Sequence, residues 1–152
     1  MARRPHLDLS EYLPYLINRV GTALVARFGE DALSGTQLSI ATWRVLAALS
    51  NNGPLRQIDI AEITSTEVST LSRLVTRLVR LRLVSRKRSA RSNREVLVEL
   101  TPKATALVAR LIPIAEKLQG TATCGLSKQE LAMVKRALRR MHENLAAVRP
   151  WQ

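Results

Sequence analysis

The sequence predicts a mainly α-helical protein of the α+β class with one small β-hairpin. Apolar side chains recur every three or four residues through most of the 152-residue chain, which is the period of an α-helix. Between Leu83 and Thr101 the period changes to two, which is typical of β-strands. The apolar stripes near both ends of the chain are longer than a small central domain could cover, so we expect a second subunit to pack against them.

The first helix is expected from about residue 9 to residue 29. Asp8 and Glu11 have the spacing of a capping box, with Leu7 and Tyr12 as the flanking hydrophobic pair. Pro14 cannot donate a backbone hydrogen bond, so we expect a bend near it. The apolar positions at helical spacing are Leu9, Leu13, Leu16, Val20, Leu24 and Phe28.

Three further helices follow before the hairpin. LSIATWRVLAALSNN, residues 38–52, has helical spacing and stops at Gly53-Pro54. RQIDIAEI, residues 56–63, is expected to be a short helix, and TSTE, residues 64–67, a turn. The next helix is expected from about residue 67 to residue 81. Two helices joined by such a turn are typical of a helix-turn-helix.

The hairpin and the last two helices complete the order. LVSRKRS, residues 83–89, and REVLVELT, residues 94–101, are the predicted strands. Thr101 is expected to cap the next helix, with Pro102 at its first position, and Pro113 to bend it. Ser127 and Glu130 form a second predicted capping box before a helix with a regular apolar seam.

This order of elements predicts a winged helix-turn-helix with a two-stranded wing, flanked by N- and C-terminal dimerisation helices. We expect the DNA-binding domain at residues 37–101 and the helical dimerisation region at residues 7–33 and 102–148. A homodimer with twofold symmetry is the simplest way to cover the outer seams.

The charge of the chain predicts a polyanionic partner. Its formal net charge is +12, and cationic surfaces attract phosphates and release their counterions. DNA, RNA and an anionic membrane surface are the alternatives, but aromatic residues make up only 3% of the chain, too few to stack several RNA bases. No apolar run is long enough to span a membrane, and residues 1–10 lack the apolar core of a signal peptide. We therefore expect a cytoplasmic protein.

Residues 69–94 concentrate this charge, with nine arginines and lysines from Arg73 onward and no acidic residue. Leucines and valines would bury one face of the helix, leaving serine, threonine and arginine on the face that meets the major groove. Ser69, Thr70 and Arg73 are expected nearest the bases, because these side chains can hydrogen-bond base edges. The full set of expected DNA contacts is Ser69, Thr70, Arg73, Arg77, Arg86, Lys87, Arg88, Arg91 and Arg94.

Two other interpretations of this basic stretch are weaker. A merely solvated face usually mixes charges of both signs. A lipid-binding amphipathic helix would carry Trp or Phe anchors and would not continue into a hairpin.

The predicted helices and hairpin resemble the MarR family of bacterial transcriptional regulators. The resemblance is most specific in STLSRLVTRL and in the basic wing that ends in VELT. The resemblance implies a homodimer joined through its terminal helices, with each recognition helix in the major groove of a palindromic operator. Two positions depart from the family pattern. Ser92-Asn93-Arg94 stands where the wing commonly has Asp-x-Arg, and Arg82 stands where the recognition helix is usually followed by glycine.

The resemblance also implies a small, often aromatic, anionic effector, bound in a pocket lined by the first, second and fifth helices. An aromatic carboxylate or its thioester needs an apolar slot with a cation or an amide. The alternative is that Trp43 is a core residue and that Arg19 and Arg44 are ordinary surface charges. The matching ligand-binding residues are Tyr15, Asn18, Arg19, Trp43 and Arg44.

The sequence predicts no enzyme, no cofactor and no metal site. His6 and His142 are far apart in the sequence and have no cysteine or carboxylate pair at ligand spacing. Cys124, the only cysteine, is interpreted as a spectator thiol rather than a redox sensor. No glycine-rich phosphate loop and no nucleophile elbow occur.

The predicted function is that of a dimeric, sequence-specific regulator of transcription, a repressor released by a small aromatic acid or its thioester. The alternative is a non-specific architectural protein of the nucleoid type. A hydrolase or transferase is a more distant alternative, because no set of residues could be named as its site.

Overall fold

The computed structural model describes residues 6–89 and 95–148. The chain divides into two compact units, Met1–Leu118 and Gln119–Gln152. The first unit contains a winged helix-turn-helix, which confirms the predicted fold class. In the described residues, no helix is both long and apolar enough to cross a lipid bilayer.

The described elements are mostly helical and follow the predicted order, with two additions. A π-helical turn extends the first helix, and a short strand precedes the third helix. In chain order the elements are α1 (Leu13–Phe28), the π-helical turn (Gly29–Leu33), α2 (Ile40–Asn52), β1 (Leu55–Arg56), α3 (Gln57–Ile63), α4 (Val68–Arg80), β2 (Val84–Arg88), β3 (Val96–Leu100), α5 (Pro102–Ala122) and α6 (Lys128–Ala147).

The start of the first helix differs from the prediction. α1 begins at Leu13, with Tyr12 as its N-cap, rather than at residue 9. The carboxylate of Asp8 accepts hydrogen bonds from the backbone N–H of Ser10 at 2.9 Å and from its hydroxyl at 2.6 Å. These bonds, the hydroxyl first, lower the pKa of Asp8. The predicted capping box of Asp8 and Glu11 is therefore wrong, because Asp8 closes a local turn instead.

Pro14 does not bend α1. It lies in the first turn of the helix, where a backbone N–H has no partner within the helix and its loss costs nothing. The prediction of a bend near residue 14 depended on the earlier start and is wrong for the same reason. α5 continues through Pro113, and the bend at this proline stays a prediction.

The core of the first unit holds the helix-turn-helix together. Leu71, Val75 and Leu78 of α4 are fully buried, in one cluster with Leu46 of α2 and Ile60 of α3. This burial fixes which face of α4 points inward. Truncating one such leucine to alanine typically costs about 2–5 kcal/mol, so the orientation of α4 is strongly specified.

The wing is part of a three-stranded antiparallel sheet with the strand order β1-β3-β2. β2 and β3 pair from Val84 opposite Leu100 to Arg88 opposite Val96, as the hairpin prediction requires. β1 adds only Leu55 and Arg56, which pair with Val98 and Leu97. A two-residue strand shows no alternation, so the sequence could not reveal it.

Two predicted helix starts are confirmed. The backbone N–H of Ala104 donates to the hydroxyl of Thr101 at 3.2 Å, so Thr101 caps α5. At α6, the backbone N–H of Ser127 donates to the Glu130 carboxylate at 2.7 Å, and the backbone N–H of Glu130 donates to the Ser127 hydroxyl at 3.2 Å. The hydrogen bonds from Ser127 lower the pKa of Glu130.

Arg82 has a left-handed backbone conformation, with φ of 57°. It follows Leu81, the C-cap of α4, and its carbonyl oxygen accepts a hydrogen bond from the Thr101 hydroxyl at 2.8 Å. A side chain with a Cβ in this conformation costs about 1 kcal/mol relative to glycine. The chain therefore keeps a strained residue at the junction between α4 and β2.

Replacing Arg82 by glycine should remove this strain, so R82G should be more stable than R82A by about 1 kcal/mol. A similar gain is expected against the natural chain, because arginine and alanine both carry a Cβ at this position. Urea unfolding of the three proteins measures both differences. The matched control is Arg80, inside α4, where glycine should instead be less stable than alanine. Equal stability of R82G and R82A would contradict the left-handed assignment.

Candidate nucleic-acid interface

The N-terminal half of α4 presents an exposed polar face. Ser69, Thr70 and Arg73 are exposed, whereas Leu71 and Val75 on the other side of the helix are buried. Among the described residues, these three polar side chains have no hydrogen-bond or ion-pair partner. They are therefore available to an external partner. This agrees with the prediction that the polar face of this helix is exposed.

Ser72 belongs to the same exposed surface, although sequence reasoning did not include it. It lies one helical turn after Ser69, so the two side chains share a face. A hydroxyl there can donate to or accept from a base edge or a phosphate. The sequence does contain a signal for Ser72, because it lies three residues after Ser69 and therefore on the same face of the helix.

Two predicted DNA-contacting arginines are held by hydrogen bonds within the protein. Arg77 donates from Nη2 to the backbone carbonyl of Gln37 at 2.8 Å. Arg86 on β2 donates from Nη2 to the hydroxyl of Thr76 on α4 at 3.0 Å. Both arginines are exposed, and each guanidinium has further N–H groups for a phosphate. The hydrogen bonds set the direction of these cations.

Lys87 on the wing is paired with an acid. Its ammonium contacts the carboxylate of Glu99 on β3, and the Ser85 hydroxyl donates to the same carboxylate at 3.1 Å. The hydrogen bond from Lys87, followed by that from Ser85, lowers the pKa of Glu99. The side chain of Lys87 is 68% exposed, so it can still reach a phosphate, but part of its charge is already neutralised.

The remaining predicted wing contacts divide into two groups. Arg88, at the end of β2, is exposed. Arg91 and Arg94 lie outside the described residues, and so does Ser92, where the family pattern would place an acid.

A network at the base of the wing was not predicted. Arg56 binds Asp59 with two hydrogen bonds, from Nε at 2.8 Å and from Nη2 at 2.7 Å, and its Nη1 lies 3.6 Å from the Glu95 carboxylate. The bond to Arg56 lowers the pKa of Asp59. Arg56 thus connects the start of α3 to the residue before β3. The Arg-x-x-Asp spacing could have suggested the local pair, but no sequence signal relates Arg56 to Glu95.

The predicted ligand-binding residues form two separate groups. On α1, the guanidinium carbon of Arg19 lies 5.7 Å from the centre of the Tyr15 ring. The Trp43 ring on α2 packs against Phe28, with ring centres 5.2 Å apart. Phe28 ends α1 at a distance along the helix axis of about 20 Å from Tyr15. Asn18 and Arg44 are exposed, one in each group.

Comparison with known proteins gives one match to the central part of the chain and several to most of its length. The model of the MarR family matches residues 36–95. The HTH-type transcriptional repressor NicR of Pseudomonas putida is 28% identical over 134 residues, which is 88% of this chain and 84% of that protein. A structure of Bordetella bronchiseptica BpsR, whose DNA binding is regulated by 6-hydroxynicotinic acid, has 28% identity and a TM-score of 0.79, covering 91% of this chain and 98% of that one.

The deciding match is to a MarR-family transcriptional regulator from Silicibacter pomeroyi. It is 30% identical, with a TM-score of 0.79, and the match covers 97% of this chain and 99% of that one. This chain belongs to the MarR family. It is accordingly a DNA-binding regulator of transcription.

In this MarR-family protein, removing the charge of Glu99 should strengthen binding to every duplex. E99Q frees Lys87 for a phosphate, so the salt dependence of binding should steepen by up to about one unit. Fluorescence anisotropy at several salt concentrations measures this. E116Q, on the exposed surface of α5, makes the same change in net charge without freeing a lysine. An equal effect of both variants would show that Lys87 is not restrained by Glu99.

The same ion pair should contribute to folding stability only when Glu99 is ionised. Because its folded-state pKa is lowered, the contribution is present above the ordinary value of 4.5 and is lost as the pH falls through the folded-state pKa. E99Q should therefore be less stable than the natural chain at neutral pH, by less than about 1 kcal/mol for this exposed lysine partner. The difference should disappear in acid.

Proposed function

We propose that this protein is a homodimeric repressor that binds a palindromic operator through α4 and is released by a small aromatic acid or its thioester. The observation that carries the proposal is the exposed polar face of Ser69, Thr70 and Arg73, which have no partner among the described residues, on a helix whose other face is buried in the core. This arrangement presents base-reading side chains in a fixed orientation.

The contacts divide by chemistry into base contacts and phosphate contacts. Arg73 can bind guanine with two hydrogen bonds, and Ser69 and Thr70 can bind either base edges or phosphates. Arg77 and the wing residues Arg86, Lys87 and Arg88 are assigned to the phosphates, which position the protein without specifying sequence. Arg91 and Arg94 complete the proposed set.

Exposed apolar side chains on the outer helices support the homodimer. On α1, Leu13, Ile17 and Val20 are exposed by 47%, 41% and 57%. α6 has no buried residue, and its Leu145 is 75% exposed. Apolar surface of this extent usually marks an interface. We assign residues 7–33 and 102–148 to dimerisation and residues 37–101 to DNA binding. A twofold dimer then requires two half-sites of opposite orientation.

The effector part of the proposal is supported by the two relatives with 28% identity. One is a repressor, and the DNA binding of the other is regulated by 6-hydroxynicotinic acid, an aromatic acid. Two aromatic residues proposed for the ligand have a cation nearby. Tyr15 lies close to Arg19 in space, with Asn18 next to Arg19 in the sequence, and Trp43 directly precedes Arg44. An aromatic carboxylate can stack on such a ring and pair with the guanidinium.

Replacing Arg73 with alanine should relax sequence preference, whereas replacing Lys87 with alanine should weaken all duplexes alike and reduce the salt slope. Each lost bidentate base contact should cost about 1–3 kcal/mol on the correct operator and little on other DNA. The measurement is a gel-shift titration with DNA from upstream of the protein's own gene and with random DNA. R110A on α5 removes one charge outside the interface and serves as the control.

Three results would contradict this assignment. If both variants weaken every duplex equally, Arg73 does not contact bases. If random DNA competes as well as upstream DNA, the protein is a non-specific architectural protein. Absence of any gel shift would remove the DNA-binding assignment of α4.

Titration with aromatic acids should change the fluorescence of Trp43. The chain has two tryptophans, so the measurement uses W151F, which leaves Trp43 as the only tryptophan. 6-Hydroxynicotinate and salicylate are suitable probes, and R44M should weaken the response if Arg44 pairs with the carboxylate. An unchanged spectrum across a broad panel of aromatic acids would argue against the proposed role of Trp43.

A further inference from the structure

The last helix has a cationic face that none of the roles proposed above uses. α6 lies in the second unit, and its cations Lys135, Arg136, Arg139 and Arg140 are all exposed. Among the described residues, none of these four side chains forms an ion pair or a hydrogen bond. Their charges are therefore available to an external anion.

The cations and the apolar side chains of α6 lie on opposite faces of the helix. At about 100° per residue, Arg136, Arg139 and Arg140 are on average roughly 180° away from the apolar row. This row consists of Leu131, Val134, Leu138 and Leu145. Because the apolar row is assigned above to the dimer interface, the cationic face remains exposed in the proposed dimer.

The positive charge on this face is concentrated rather than balanced. Lys135 precedes Arg139 by four residues, and like charges at this spacing destabilise a helix. Arg136 precedes Arg140 by the same distance. Glu143 follows on the same side about one turn later, but in the described part of the chain it pairs with none of these cations. A phosphate chain would relieve this repulsion.

The chemistry of the face favours duplex DNA over other polyanions. Arg136 and Arg140 are about 6 Å apart along the helix axis, close to the rise of about 7 Å over two phosphates of one DNA strand. Single-stranded RNA is usually bound with aromatic side chains that stack on its bases, and α6 contains no Trp, Tyr or Phe. The same absence argues against a lipid surface, where such residues anchor an amphipathic helix.

We propose that the cationic face of α6 is a second surface for duplex DNA, which binds phosphates and does not read the base sequence. Arg136, Arg139 and Arg140 pair with phosphates, for which the guanidinium group can form two parallel hydrogen bonds. Lys135 adds charge at the edge of the face. The accessibility of this surface in the dimer rests on the proposed dimer interface, whereas the binding itself does not depend on α4 or on an effector.

The first experiment measures capture of a second duplex. DNA from upstream of the protein's own gene is immobilised and saturated with the full chain, and a fluorescent random duplex is then added. The natural chain should capture this second duplex, and R136Q/R139Q should lose the capture. R110Q/K117Q makes the same change in net charge on α5 and should retain it, as should R136K/R139K, which keeps the charge.

The second experiment measures contact with a single duplex. If α6 and the wing bind the same long duplex, R136Q/R139Q should reduce the slope of log affinity against log salt concentration by up to about two units, one for each lost phosphate contact. Fluorescence anisotropy at several salt concentrations measures this slope, and R110Q/K117Q should leave it unchanged. The proposal is overturned if R136Q/R139Q matches R110Q/K117Q in both capture and salt slope.

Glutamine and arginine are similarly good helix formers, so α6 should remain folded in R136Q/R139Q. Circular dichroism melting and size-exclusion chromatography check the fold and the oligomeric state. If the double variant is unstable, R140Q with R110Q as its control repeats both measurements at a third position. The result for R140Q then decides.

Two other polyanions are tested with the same variants. If single-stranded RNA of equal length is captured more tightly than the duplex, the assignment to duplex DNA is wrong. It is also wrong if vesicles containing phosphatidylserine bind the natural chain but not R136Q/R139Q, while DNA binding is the same for both.

The second surface and the proposed function fail separately. If upstream DNA is bound no better than random DNA, the proposed function is wrong, and the capture experiment is repeated with random DNA as the immobilised duplex. If upstream DNA is preferred but R136Q/R139Q behaves like its control, only the second surface is wrong.

Discussion

The burial of Leu71, Val75 and Leu78 between α2 and α3 is the interaction on which the interface depends. It fixes the rotation of α4 about its own axis, and through that the direction of every polar side chain on its outer face. A rotation of one residue, about 100°, would bring Ser72 into the core and expose a leucine. The packing of these side chains in the first unit therefore determines which polar side chains of α4 face outward.

The basic surface is less uniform than its sequence suggests. Arg73 is unpartnered among the described residues, whereas Arg77 and Arg86 are hydrogen-bonded to the protein and Lys87 is paired with Glu99. Restrained cations lose less conformational entropy when they meet a phosphate, but they must share or exchange an existing contact. The protein thus combines Arg73, which is freely accessible among the described residues, with cations elsewhere on the basic surface that are already oriented by protein contacts.

The sequence predicted what depends on local pattern and missed what depends on distant partners. The caps at Thr101 and Ser127 were predictable because cap chemistry is encoded within three residues. Asp8 offered the same spacing, but its carboxylate had a nearer partner in Ser10. β1 and the contact of Arg56 with Glu95 join residues about forty positions apart, and neither leaves a periodic signal.

The candidate functional residues divide in the same way, into those that follow a local pattern and those that depend on distant parts of the chain. Periodicity separated the polar face of α4 from its buried face, so the candidate base contacts were found from the sequence. The ligand-binding residues were chosen by resemblance, and the structure places Tyr15 and Trp43 in different groups. A cavity lined by Lys103 could not be predicted from the sequence, because three separate segments of the chain, residues 36–38, 81–83 and 103–107, form it.

The strand order of the sheet has a consequence for the behaviour of the protein in solution. β3 is the central strand, so the open edge of the wing belongs to β2. An open edge can pair with another chain, and natural proteins prevent this with charged side chains, lysine above all. Three consecutive cations, Arg86, Lys87 and Arg88, lie on this edge and repel the same edge of a neighbouring molecule. The charge that we propose for phosphate binding thereby also disfavours edge-to-edge association of the wing.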